Sequence, residues 1–239
     1  MKQELSKKTR TESDLIGSRE VPESALYGVQ TLRGIENFRI SKFHLNEYPL
    51  FIQALAITKM GAAIANRELD LLTKEQTDAI LKACKEILEG KYRDQFPVDM
   101  IQGGAGTTTN MNANEVIANR ALELMGHQRG EYQYCSPNDH VNRSQSTNDA
   151  YPTAIHIGLY YTHLKLVKHF ETLIQSFRKK GEEFANIIKM GRTQLEDAVP
   201  MTLGQTFNGF ASILEHEVKN LDFAAQDFLT VNMGATAIG

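Results

Sequence analysis

The chain has too few cysteines for a protein that depends on disulfides. Cys84 and Cys135 are the two cysteines among 239 residues, which excludes a disulfide framework and a structural zinc cluster. Residues 1–10 are charged and polar without an apolar centre, so they do not resemble a secretory signal. We therefore expect a reduced, cytoplasmic protein.

Long apolar runs and an excess of positive charge are also missing. The longest uncharged run, residues 198–214, contains Pro200, Gly204 and Gly209, so no membrane span is expected. The 26 Lys and Arg residues are balanced by 29 Asp and Glu residues, and no basic stripe is present. Nucleic acid is therefore not expected as a partner.

The first half of the chain predicts helices after a short extended start. Residues 1–13 are polar and are expected to be loose, whereas residues 15–26 predict short extended pieces and turns. Helical spacing of apolar residues predicts helices over 47–69, 73–88 and 112–125. Thr73 and Gln76 form a capping box at the start of the second helix.

Two much longer helical stretches, residues 150–189 and 203–232, dominate the second half. Each carries an apolar seam, and a connector with Gly and Pro joins them, which predicts antiparallel helices of a bundle. The predicted fold is mainly α, with a small mixed domain over 1–147 and part of a helical bundle over 148–239. Two helices cannot bury both seams, so either partner chains cover them or the chain is a piece of a longer protein.

The first polar segment with chemical interest is residues 102–110, QGGAGTTTN, which leads into a helix. Glycines let a backbone approach a ligand closely, and the start of a helix favours an anion. The segment matches neither a P-loop nor a dinucleotide fingerprint. On spacing alone, it is either an anion site or a capped flexible connector.

Two further polar segments border the long helices. Residues 136–149 lie before the first long helix, and Ser146, Thr147 and Asn148 supply hydroxyl and amide donors where the helix dipole is positive. The alternative interpretation is an elaborate N-terminal cap. Residues 191–200 join the long helices and favour a turn with Arg192 and Asp197 paired across it.

Together these segments resemble the fumarase/aspartase superfamily, over about residues 12–239. The resembling motifs are residues 23–31, 36–40, 111–116, 144–149 and 191–200. Within the superfamily the chain is more similar to aspartases than to fumarases. Fumarases typically have Ser where this chain has Ala105 and His where it has Gln194. Ser146-Thr147-Asn148 also resembles the aspartase version, since fumarases usually have Ser-Ser-Asn.

The resemblance implies an ammonia-lyase that converts L-aspartate to fumarate and ammonia without an organic cofactor; it leaves divalent-metal activation open. A serine removes the C3 proton, and hydrogen-bond donors hold the resulting dianionic carboxylate. By resemblance, Thr107, Ser146 and Thr147 would hold that carboxylate. Asn148, Thr193 and Gln194 would contact the amino group.

The resemblance also implies a homotetramer in which each active site is shared between subunits. The loop that carries the family's serine base, with a lysine and an asparagine for the second carboxylate, does not occur before Gly239. The chain therefore resembles the N-terminal half of such an enzyme, and this piece alone is expected to be inactive. Two alternatives remain, namely a fumarate hydratase and a non-catalytic helical assembly module.

Overall fold

The protein is mostly helical, as predicted. The structure is a computed structural model that describes residues 8–104 and 106–236. The helices are α1 Val29–Asn37, α2 Pro49–Glu68, α3 Lys74–Leu88, α4 Thr107–Leu124, α5 Thr147–Glu183 and α6 Leu203–Ala225. The strands are β1 Thr9–Asp14, β2 Gly17–Pro22, β3 Ile188–Thr193 and β4 Glu196–Thr202. No helix within the described residues is long and apolar enough to cross a membrane.

The chain folds into two compact units, Met1–Gly158 with Val231–Gly239, and Leu159–Thr230. The predicted division into domains 1–147 and 148–239 stays a prediction. The core of the first unit is built by α2, α3 and α4, through residues such as Leu55, Ile80 and Val116. On α2, Leu55 is buried whereas Ile64 is exposed.

The first unit begins with an antiparallel hairpin of β1 and β2. The expectation of a loose start is wrong for residues 9–13, which lie in β1, whereas residues 1–7 lie outside the described residues. The guanidinium of Arg10 explains the order here, since it donates to the carbonyl oxygens of Pro22, Ala25 and Tyr27. These bonds fasten β1 to the chain that leads into α1.

Caps fix the ends of the helices in the first unit. The predicted capping box of Thr73 and Gln76 is confirmed at the start of α3. The helix predicted from residue 112 begins earlier, at Thr107, because the Gln102 side chain supplies its cap. The Gln102 carbonyl oxygen accepts from the N–H of Thr109 at 2.8 Å, and its amide group donates to the Thr109 hydroxyl. The threonines of the polar segment are therefore helical residues.

The second unit contains most of α5, from Leu159 onward, together with the β3–β4 hairpin and α6. The predicted antiparallel arrangement is confirmed, since Arg178 pairs with Glu215 and His163 bonds to Asp222 at 2.9 Å. Both helices end earlier than predicted: α5 stops at Glu183 because residues 188–193 form a strand, and α6 gives way to a 3₁₀ turn, Gln226–Leu229. Large apolar side chains remain exposed on both helices, among them Leu164, Leu173, Phe210, Ile213 and Phe223.

Candidate functional site

The polar residues around Ser146 form the start of α5. The helix begins at Thr147 rather than at the predicted Ala150, because Ser146 and Asp149 cap it reciprocally. The Asp149 carboxylate accepts from the N–H of Ser146 at 2.8 Å, and the Ser146 hydroxyl oxygen accepts from the N–H of Asn148 at 3.2 Å. The capping interpretation is therefore correct. It is compatible with ligand binding, because the Ser146 hydroxyl that accepts a bond in the cap still has a hydrogen to donate.

The two hydroxyl groups at this helix start each accept one hydrogen bond from the protein. Each hydroxyl has one hydrogen to donate and lone pairs that accept. The Ser146 oxygen already accepts from Asn148, and the Thr147 oxygen accepts from the side-chain amide of Asn110 at 3.2 Å. Each hydroxyl therefore still has its hydrogen to donate, at the positive end of a 37-residue helix. Such a pair suits a carboxylate.

Thr107 opens α4, the second helix start at this place. The bond from Asn110 in α4 to Thr147 in α5 joins the two starts. Gly106 lies directly before Thr107 with φ +89°, and a Cβ there would collide with the ring of Tyr151 in α5. The glycine therefore lets the start of α4 approach the first turn of α5. The side chain of Thr107 is exposed at this point.

Replacing Gly106 by alanine should destabilise the protein more than the same change at Gly126. Both glycines have left-handed backbones, φ +89° and φ +84°, which cost an alanine about 1–2 kcal/mol. Only Gly106 adds a collision, whereas a Cβ at Gly126 meets nothing within 4 Å. We expect a loss of about 2–5 kcal/mol in the free energy of unfolding for Gly106→Ala and about 1–2 kcal/mol for Gly126→Ala, measured by urea denaturation. Equal losses would show that the close approach to Tyr151 is wrong.

The remaining predicted site residues lie in different places. Asn148 is exposed in the first turn of α5, beside Ser146 and Thr147. Thr193 and Gln194 are exposed in the second unit, where Thr193 ends β3 and Gln194 begins the turn to β4. Thus Thr107, Ser146, Thr147 and Asn148 come together within the first unit, whereas Thr193 and Gln194 belong to a hairpin of the second.

The hairpin turn holds Gln194 and Leu195 in an unusual conformation. Their φ values are +48° and +70°, so a two-residue turn of the primed type joins β3 to β4. Such turns favour Asn-Gly, and a side chain at each position is strained. The predicted pair across the turn is present, with Arg192 Nε and Asp197 Oδ1 at 3.7 Å, but both side chains are largely exposed. That pair adds little stability.

Sequence reasoning did not find Lys59, which is fully buried in α2. Its ammonium group donates to the side-chain oxygens of Asn110, Asn142 and Gln145 at 2.8, 2.9 and 2.9 Å. Burial lowers the pKa of Lys59 to about 7, and the negative charge of Asp149 opposes that shift. A signal was present, because Lys59 is the one charged residue between Glu47 and Arg67.

The described residues contain no group of three or more His, Cys, Asp or Glu that could hold a metal ion. The polar network at the two helix starts consists of amides, hydroxyls and one ammonium group, with Asp149 as its buried carboxylate. The Lys59 ammonium and the Asn110 amide donate within this network, and the Ser146 and Thr147 hydroxyl oxygens accept from their neighbours. The arrangement can bind an anion and stabilise negative charge that develops on it.

A sequence profile of the lyase family matches residues 17–239. The chain belongs to the lyase family. Among the lyases, it is similar to the aspartate ammonia-lyase of Escherichia coli K12, with 56% identity over 236 residues. It is also similar to that of Pseudomonas canavaninivorans, with 57% identity over 231 residues. These matches cover 98% and 96% of this chain but 49% of each relative, so the chain spans about half the length of the curated lyases it matches.

Solved lyase structures show the same fold. The native crystal structure of fumarate lyase:delta crystallin from Brucella melitensis has a TM-score of 0.93 and 50% identity, covering 95% of this chain and 53% of that one. The class II fumarase from Schistosoma mansoni has a TM-score of 0.86 and 37% identity, covering 97% of this chain and 49% of that one. The predicted membership of the fumarase/aspartase superfamily and the predicted fold class are both confirmed.

Proposed function

We propose that this lyase, at the full length of its relatives, releases ammonia from L-aspartate to give fumarate. The observation that carries the proposal is the pair of hydroxyls at the start of α5, Ser146 and Thr147, each of which accepts a bond from the protein and keeps a hydrogen that it can donate. Two relatives at 56–57% identity named aspartate ammonia-lyase support the same substrate.

The chemistry requires donors of this kind. A proton on the carbon beside a carboxylate is very weakly acidic, and its removal leaves a second negative charge on that carboxylate. Hydrogen-bond donors that the folded protein already holds in position stabilise that charge by several kcal/mol, because they need not reorient during the reaction. The electron pair of the former C3–H bond then forms the double bond between C2 and C3. The C2–N bond breaks, and its electron pair leaves with the nitrogen as ammonia. A serine outside residues 1–239 is proposed as the base.

The proposed roles divide the site in two. Thr107, Ser146 and Thr147 hold the carboxylate beside the carbon that loses its proton. Asn148, Thr193 and Gln194 contact the amino group. These three side chains are exposed in the described chain. They are therefore accessible to a ligand or to another part of the enzyme.

We further propose a homotetramer with active sites shared between subunits. The exposed apolar side chains of α5 and α6 supply surfaces that further helices would cover. The proposal includes no organic cofactor, leaves divalent-metal activation open and places the enzyme in the cytoplasm.

Two parallel assays on the enzyme at its relatives' full length test the substrate. One follows ammonia release from L-aspartate, and the other follows hydration of fumarate. We expect activity in the first assay and none above background in the second. Hydration of fumarate alone would make the protein a fumarate hydratase, and silence in both assays would favour the helical assembly module.

Replacing Thr107 by alanine should raise the KM for aspartate and also lower kcat. The reason is that this hydroxyl contacts the carboxylate both before and during the reaction, so its loss weakens ground-state binding and transition-state stabilisation together. Steady-state kinetics of ammonia release measure both constants. Thr108→Ala is a matched control one position along α4, and it should change neither. Unchanged kinetics in Thr107→Ala would show that residues 102–110 serve as a connector and not as a binding site.

A further inference from the structure

Lys59 donates to three side-chain oxygens from two separate parts of the chain. Asn110 lies in α4, Asn142 follows the π-helical turn Pro137–Val141, and Gln145 directly precedes Ser146. A lysine ammonium has three N–H donors and no acceptor. The three short bonds therefore use every hydrogen of the group.

The bond to Asn110 decides which way that amide points. Because an ammonium only donates, the Asn110 side chain must turn its oxygen toward Lys59. Its NH₂ group then faces Thr147 and donates to the hydroxyl oxygen. Thr147 is left with its hydrogen free for a ligand. Lys59 thus sets the direction of a hydroxyl that it does not touch.

The bond to Gln145 holds the chain directly before Ser146. The Gln145 oxygen accepts from Lys59, and its NH₂ group donates to the carbonyl oxygens of Val141 and Arg143. Between Arg143 and Gln145, Ser144 has a left-handed backbone conformation, φ +57°. A serine in that region is uncommon, and the surrounding bonds keep it there.

Stability alone does not explain a lysine at this position. Burying an ammonium group is expensive, and an apolar side chain of similar volume often packs with equal or better stability. The lowered pKa of Lys59, about 7, reflects that expense. The charged and titratable groups around it are the Asp149 carboxylate in α5 and the Cys84 thiol in α3. The three oxygens that it binds belong to residues in α4 and in the segment directly before α5.

We propose that Lys59 is a positioning residue of the ammonia-lyase site, which holds Asn110 and Gln145 so that the Thr147 and Ser146 hydroxyls present their hydrogens to the substrate carboxylate. This proposal rests on the proposed function. Lys59 does not touch the substrate, because its three hydrogens are used within the protein. Its loss should act on charge that develops in the reaction more than on binding of the substrate.

The test compares Lys59→Met with Leu55→Ala in the enzyme at its relatives' full length. Leu55 is also buried in α2, one turn earlier, and serves as a control for general loss of core stability. We expect kcat to fall about 10-fold or more in Lys59→Met, with KM changed less than about 3-fold, because the oriented donors act mainly on the transition state. In Leu55→Ala, kcat and KM should stay within about 2-fold of the parent, since a core cavity that leaves the polar network intact acts on stability.

Two further measurements separate positioning from folding. Gln145→Met should lower kcat by itself, and Lys59→Met added to it should cost less than it does alone, because the bond between Lys59 and Gln145 is already lost in Gln145→Met. Amide hydrogen exchange of residues 146–150 should be faster in Lys59→Met than in Leu55→Ala. If Lys59→Met does not fold, an unchanged kcat in Gln145→Met overturns the proposal and a lowered kcat upholds it.

The outcomes distinguish this proposal from the proposed function. If Ser146→Ala is slow while Lys59→Met keeps its kcat, the positioning role is wrong and the function stands. If the parent enzyme releases no ammonia, the proposed function falls, and with it the role in catalysis. The exchange rates at residues 146–150 would then decide whether Lys59 still fixes the helix start, and equal rates in both variants would overturn that as well.

Discussion

We expect Ser146→Ala and Thr147→Val each to lower kcat for ammonia release by about 10²–10³-fold, which corresponds to about 2.7–4 kcal/mol in the barrier. Each variant removes a hydroxyl whose oxygen accepts a bond within the protein and whose hydrogen is proposed to bind the substrate. The folding cost should be smaller. Ser146→Ala removes a helix cap, worth about 1 kcal/mol, and valine keeps the shape of threonine. Kinetics and urea denaturation on the same variants separate the two effects.

Thr153→Val is the matched control for Thr147→Val. It lies in the same helix, its hydroxyl is buried, and that hydroxyl makes no hydrogen bond within the described residues. Removing such a hydroxyl should leave kcat unchanged and cost no stability. Near-normal kcat in both Ser146→Ala and Thr147→Val would contradict the proposed site. A fall in Thr153→Val equal to that in Thr147→Val would mean that any threonine lost from α5 perturbs the enzyme.

Residues 1–239 purified alone should release no detectable ammonia from aspartate. The donors at Thr107, Ser146 and Thr147 would be present, but donors without a base do not remove a proton from carbon. By resemblance, the serine base lies outside these residues, and further copies of the same piece cannot supply it. The enzyme at its relatives' full length is the positive control in the same assay.

The same sample should associate, because the apolar side chains exposed on α5 and α6 form a surface that water solvates poorly. Light scattering measures this, and Ile213→Lys with Phe223→Lys should reduce it by placing charges on exposed apolar positions. A monodisperse monomer that deaminates aspartate would contradict both the placement of the base and the role of these faces.

The existence of the helices could be predicted from sequence more securely than their limits. The capping box at Thr73 is a local signal and was sufficient for α3. The start of α4 was not predictable in the same way, because its cap comes from Gln102, beyond a glycine-rich turn. The turn with Arg192 and Asp197 paired across it could be predicted, but the strands β3 and β4 on either side of it were not, since Gln194-Leu195 is not a sequence that favours a primed turn.

The candidate site was predictable where hydroxyls cluster and unpredictable where a buried charge supports them. Ser146, Thr147 and Asn148 stand together in the sequence before a long helix, so a helix-start site could be inferred. Lys59 is 51 residues from Asn110 and 86 from Gln145, and a lysine in a helix ordinarily faces water. Only the folded chain shows that it faces inward.

The orientation of the Asn110 amide restricts how the site can be altered. Its oxygen and NH₂ group serve different neighbours, Lys59 on one side and Thr147 on the other. An aspartate there has no donor to offer, so Thr147 would turn its own hydrogen toward the carboxylate and present lone pairs to the ligand. A library that varies residues 146–148 to change the substrate would therefore vary these side chains while the fixed frame, the bonds among Lys59, Asn110 and Gln145, stays the same. Changing the frame itself would require positions 59, 110 and 145 to change as a group.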